Sequence, residues 1–108
     1  MTKGQLGVVL ERHKKWLDGQ PDGERADLSG ANLSGANLLW ANLSGANIDY
    51  ACWPLWCGSK GVKVDAKIAA QLAAHFCALD CTDEGYLAAR MEILKFAKTS
   101  HRAEDLEL

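Results

Sequence analysis

Four cysteines and three histidines are the residues of this chain best suited to metal or nucleophilic chemistry. Cys77 and Cys81 lie four apart on or near a stretch with helical periodicity, a spacing that can turn two side chains to one face. With Cys52 and Cys57 they could offer four thiolates to a zinc ion. Neither pair has the Cys-x-x-Cys spacing of a zinc knuckle, and cysteine is also a common small buried residue. A disulfide would suit an oxidising compartment better than a reducing one. Packing, a zinc site and a disulfide are therefore the three readings of the thiols, and no metal ligand set is assigned. His75 and Cys77 are two apart, so a helix points them to different faces and they make no nucleophile–base pair. His13 falls on an apolar stripe and reads as a histidine at the edge of a core. His101 lies near a chain end expected to fray. There is no phosphate-cradling glycine loop, no Ser-His-Asp arrangement and no metalloprotease helix. No catalytic residue and no cofactor follow, and the chain reads as a non-enzyme.

The elements that position these residues are organised around a five-residue repeat. Ala26-Asp27-Leu28-Ser29-Gly30 is followed by Ala31-Asn32-Leu33-Ser34-Gly35, Ala36-Asn37-Leu38-Leu39-Trp40, Ala41-Asn42-Leu43-Ser44-Gly45 and Ala46-Asn47-Ile48-Asp49-Tyr50. A degenerate copy, Ala51-Cys52-Trp53-Pro54-Leu55, ends the run. A period of five is neither the helix period nor the strand period, so each copy must contain a bend. Gly30, Gly35 and Gly45 stand where corners would fall, and Asn and Ser beside them can bond to nearby backbone. The apolar residue of each copy then returns to one side. Leu28, Leu33, Leu38, Leu43 and Ile48 are expected inside with the repeat alanines, and the Asn, Asp and Ser positions outside.

Tandem Ala-(Asp/Asn)-Leu-Ser-Gly resembles the pentapeptide-repeat family over about 30 residues, roughly a quarter of the chain. The resemblance implies a right-handed quadrilateral β-helix with four copies per coil. The expected fold is therefore α+β: a short β-helix of about 1.5 coils over residues 24–57. An N-terminal capping helix within residues 1–20 and a C-terminal α-helical hairpin within 62–102 would close it. Six copies cannot build the long DNA-shaped rods by which some members of the family block DNA gyrase.

Flanking periodicity supports those helices. Leu6, Val9, Leu10, His13, Trp16 and Leu17 form one stripe over residues 5–18, which needs a partner surface. Ile68, Leu72, Phe76 and Leu79 give the apolar face of a helix over 65–79. Leu87, Met91 and Leu94 give the main face of another to about residue 98, with Tyr86, Ile93 and Phe96 widening it and Thr82 or Asp83 as its N-cap. Trp53 and Trp56 are expected to close the end of the repeat.

The net charge of −2 argues against a basic nucleic-acid-binding patch. Its distribution is uneven: +3 over residues 1–17, −4 over 18–49, +2 over 50–64 and −3 over 65–108. Asp27 and Asp49 are 22 apart, so a 20-residue coil would place them on one side. Glu24, Asp27, Asp49, Asp65, Asp83 and Glu84 are the candidate partner-binding residues. The His-Lys-Lys-Trp-Leu and Trp-Pro-Leu-Trp-Cys segments, with the short repeat, resemble small phage and prophage pentapeptide-repeat proteins. That resemblance implies an inhibitor of host defence: an anti-CRISPR or anti-restriction protein whose acids mimic DNA at a protein's DNA-binding surface. The alternatives are a protein–protein scaffold without mimicry and a metal-stabilised cysteine module. A polar, charged N-terminus and the lack of a long apolar run lead to an expectation of a cytoplasmic monomer that binds neither nucleic acid nor membrane directly.

Overall fold

The computed structural model describes all residues, 1–108. The chain divides into two compact units, Met1–Asp65 and Ala66–Leu108. Its helices are α1 (Lys3–Leu17), α2 (Ala66–Cys77) and α3 (Glu84–Ala97), with a short 3-10 turn at Cys57–Ser59.

The expected α+β architecture is not found. The chain has three α-helices and neither strand nor sheet, so the quadrilateral β-helix of about 1.5 coils is overturned, while α1 lies within residues 1–20 and α2 and α3 within 62–102. Parallel pairing is limited to three isolated bridges: Asp27 with Asn47, Asn32 with Cys52, and Asn42 with Lys63. The backbone bonds of the repeat itself show why no ladder grows. Leu28 donates its N–H to the Asn47 carbonyl at 2.8 Å. Gly30 N–H likewise reaches the Asp49 carbonyl at 2.8 Å. The bond that would join these into a ladder, from Asp49 N–H to the Leu28 carbonyl, is missing: Asn47 Oδ1 takes that N–H at 2.9 Å, and the Leu28 carbonyl accepts from Ala31 N–H at 3.1 Å as the chain bends.

The same unit recurs in every copy. The Oδ1 of Asp27, Asn32, Asn37, Asn42 and Asn47 accepts the N–H two residues on, at 2.9–3.1 Å. Ala31, Ala36, Ala41, Ala46 and Ala51 donate to the carbonyl three residues back, closing a β-turn. The repeat is thus a stack of hydrogen-bonded turns. The large apolar residues are buried as the sequence pattern requires, Leu28, Leu33, Leu38 and Leu43 at 0–1% exposed and Ile48 at 6%. Burying four or five such side chains contributes about 1.5–3 kcal/mol each. Of the alanines expected inside, Ala26 and Ala46 are buried, but Ala31, Ala36 and Ala41 are only half-buried.

In the first unit, the Thr2 hydroxyl oxygen caps α1 by accepting the Gln5 N–H, and the Thr2 N–H donates to Gln5 Oε1, completing a capping box. Leu6 and His13 are its buried residues, and Trp16 remains 41% exposed. The His13 ring ties the helix to the repeat. Its Nδ1 accepts the Ala26 N–H at 3.0 Å, and its Nε2 lies 2.9 Å from the Ser44 carbonyl, which fixes the hydrogen on Nε2. The histidine expected at a core edge is fully buried and structural.

In the second unit, Asp83 caps α3 through the Tyr86 N–H. Ala74, Cys77 and Ala97 form the cluster on which Ile93, Leu94, Leu106 and Leu108 pack. The Tyr86 hydroxyl donates to the carbonyl of Phe76 or Leu79, at 2.8 and 3.1 Å, and Arg90 Nε donates to Cys77. Two expectations are corrected here. The tail does not fray: Leu106 and Leu108 fold back with bonds to Arg102 and Ala103. Leu87 and Met91 are not the packed face of α3. They are 45% and 77% exposed, and the side facing α2 carries Tyr86, Arg90, Ile93 and Ala97.

Candidate functional site

The six acids named from sequence do not form one cluster of free carboxylates. Asp27 and Asp49 are the most relevant pair. The bridge sets Asn47, not Asp49, opposite Asp27, and the Asp49 carbonyl accepts Gly30 N–H at 2.8 Å. The two acids therefore stand in adjacent layers, out of register. Bonds from Ser29, first its hydroxyl and then its N–H, hold the exposed Asp27 carboxyl below the usual range and keep it ionised. Glu24 lies 3.4 Å from Arg12 in an exposed ion pair. Asp65 accepts the Gly45 N–H at 2.5 Å and so secures a turn. In the other unit, Asp83 is committed as the α3 cap, and Glu84 occupies the first turn. Residues 1–65 carry seven acids and seven bases, so the repeat-bearing unit has no net charge.

The thiols give no centre either. Cys77 is buried in the helical cluster, while Cys52, Cys57 and Cys81 are exposed, so packing accounts for one cysteine only. All four are free, and no three metal-binding side chains converge.

The unexplained surface lies on the repeat instead. The third residue of a turn can take a positive φ, which Gly30 and Gly45 supply at 69° and 82°, while Gly35 does not adopt it. Trp40 and Tyr50 occupy the same position at 61° and 63°. A side chain held there costs about 1–2 kcal/mol. Neither ring is buried in return: Trp40 is 68% and Tyr50 77% exposed. Trp40 lies over Gly61, where a Cβ would fall 2.1 Å from the indole, but most of the ring faces outward. Leu39, one residue earlier, stands where the first, second and fourth copies have serine and is 44% exposed. The third copy thus departs from Ala-Asn-Leu-Ser-Gly only at its two outward positions, and both changes are apolar. The sequence reading took the glycine corners as informative and missed the two corners that lack glycine. The signal was the exception within a strict repeat.

A groove of about 670 Å³ runs between α1 and the repeat. Leu6 and Leu10 line one side, Leu33 and Ala36 the other, and Trp56 flanks it. Lys3 is the only ionisable side chain on its walls, so it holds no acid–base pair. Trp56 is 49% exposed and therefore does not fully close the end of the repeat as expected.

Comparison with known families places these features. The family model described as pentapeptide repeats, in eight copies, matches residues 24–52. That segment is a pentapeptide repeat, and the likeness is confined to it. No curated protein and no solved structure matches the chain. No helix is long and apolar enough to cross a membrane.

Proposed function

We propose that this chain is a non-catalytic protein-binding module that meets its partner through Leu39 and Trp40. The observation that carries this reading is the left-handed backbone of Trp40 beneath a ring left 68% exposed. Strain held at a position where glycine would relieve it points to a use outside the fold. An exposed tryptophan beside an exposed leucine supplies the apolar anchor that interface centres favour.

A second reading is DNA mimicry by the acids, the mode of an anti-CRISPR or anti-restriction inhibitor of phage type. Its support is the exposed, ionised Asp27 on the repeat face. The partner would then be the basic DNA-binding surface of a defence complex.

One experiment separates the two. The chain is immobilised and exposed to a bacterial lysate containing CRISPR effectors and restriction enzymes. Wild type is compared with Leu39→Ser/Trp40→Gly and with Asp27→Lys/Asp49→Lys. The apolar reading expects a captured protein that survives a high-salt wash and disappears with the first variant. Mimicry expects a salt-labile capture that disappears with the second. Undiminished capture by Leu39→Ser/Trp40→Gly overturns the proposal.

A further inference from the structure

We propose that α3 pairs with α3 of a second copy, antiparallel, about a two-fold axis at Met91. This departs from the monomer expected from sequence and does not depend on the Leu39–Trp40 patch. Along α3 and its C-cap, Glu84, Leu87, Met91, Leu94 and Lys98 recur at the alternating three- and four-residue spacing of a helix–helix seam. The middle of that seam is uncovered, with Leu87 45% and Met91 77% exposed. Leu94 is half-buried, one side on the α2–α3 cluster. The side chains that hold α3 to α2, among them Arg90 and Ala97, lie on a different face, so a second helix can dock without disturbing the hairpin.

Charge selects both the occupant and its direction. Glu84 lies seven residues before Met91 and Lys98 seven after. Both are exposed, and neither has an ion-pair partner in the chain. A two-fold axis at Met91 sets Glu84 of each copy against Lys98 of the other, at both ends of the seam. Leu87 then meets the partner's Leu94, and Met91 meets its own counterpart. This is a self-complementary patch of the kind a symmetric dimer needs. A parallel pairing would instead oppose Glu84 to Glu84 and Lys98 to Lys98, which repels. The apolar part is small, so the contact is of the weak, reversible class.

The test is sedimentation equilibrium on the full chain from about 10 µM to about 1 mM, a range suited to a small interface. Wild type is expected to pass from monomer to dimer. Met91→Glu is expected to stay monomeric throughout. Glu84→Lys and Lys98→Glu should each weaken association about tenfold, because each sets like charges together at both ends. The double swap Glu84→Lys/Lys98→Glu should recover dimerisation, and far-ultraviolet circular dichroism separates any loss of helix from loss of contact. A wild type monomeric at every concentration overturns the proposal. So does a Met91→Glu chain that associates as well as wild type, or a double swap no stronger than the single variants.

Discussion

The repeat and α3 both carry apolar residues at regular spacing, yet they use them differently. In the repeat, Leu28, Leu33, Leu38 and Leu43 are all essentially sealed from solvent. The Asn or Asp before each is spent on its own backbone. In α3 the expected core residues Leu87 and Met91 face outward, and α2 is gripped by Tyr86, Arg90, Ile93 and Ala97. The repeat has one possible inside, because its bend recurs in every copy. A short helix with apolar residues around much of its circumference has several, and packing chooses among them. In both regions the informative residues are the apolar ones left outside: Leu39 and Trp40 in the first, Leu87 and Met91 in the second.

The contrast predicts unequal tolerance. Leu33→Asp should unfold the first unit, since a buried unpaired carboxylate costs several kcal/mol against a total stability of about 5–15 kcal/mol for a small protein. A cooperative melt like that of wild type would mean the turns have no real core. His13→Ala should cost about 2–4 kcal/mol in urea unfolding, by stranding the Ala26 N–H and the Ser44 carbonyl. A loss under about 1 kcal/mol would remove His13 as the tie between α1 and the repeat. Asn37→Ala should cost about 1 kcal/mol through the lost bond to Leu39 N–H. Met91→Glu should shift stability by no more than about 0.5 kcal/mol. A large loss there would show that Met91 packs after all and would erase the comparison.

The smallest effect is a pH dependence at the loop after α1. Lys15 bonds to Asp22 at 2.9 Å, which holds the Asp22 carboxyl below its usual range and raises the Lys15 ammonium. The contribution of Asp22 is present above the ordinary carboxylate range and is lost as pH falls through its lowered value. That of Lys15 is present below the ordinary lysine range and is lost as pH rises through its raised value. Both groups are exposed, so the change is small. Urea midpoints of wild type and Asp22→Asn should differ slightly at neutral pH and converge at the acid end. A gap that persists in acid would assign the difference to something other than this pair.

The inward and outward positions of the repeat were legible from sequence because a five-residue period allows one arrangement. The family resemblance implied a β-helix, and that expectation failed on hydrogen bonding. The Asn47 side chain takes the Asp49 N–H, and the Leu28–Ala31 turn takes the Leu28 carbonyl, the two groups a ladder would need. The caps at Thr2 and Asp83 follow local chemistry, and the sequence reading anticipated the second. The face of α3 was legible in part: Leu94, Ile93 and Tyr86 pack as expected, but Leu87 and Met91 are equally apolar, and the bonds of Tyr86 and Arg90 to the end of α2 with the packing of Ile93 and Ala97 turn them outward. The acid pairing assumed for Asp27 and Asp49 failed by register: Asn47 stands opposite Asp27.

Leu39 and Trp40 are kept for a contact outside the fold. The most direct test of this role is urea unfolding of Leu39→Ser/Trp40→Gly, which turns the third copy into Ala-Asn-Leu-Ser-Gly. Stability within about 1 kcal/mol of wild type is expected, because the left-handed strain that glycine relieves offsets the burial lost at Leu39 and over Gly61. A loss of more than about 2 kcal/mol would show that the indole over Gly61 holds the first unit together, and would contradict the claim.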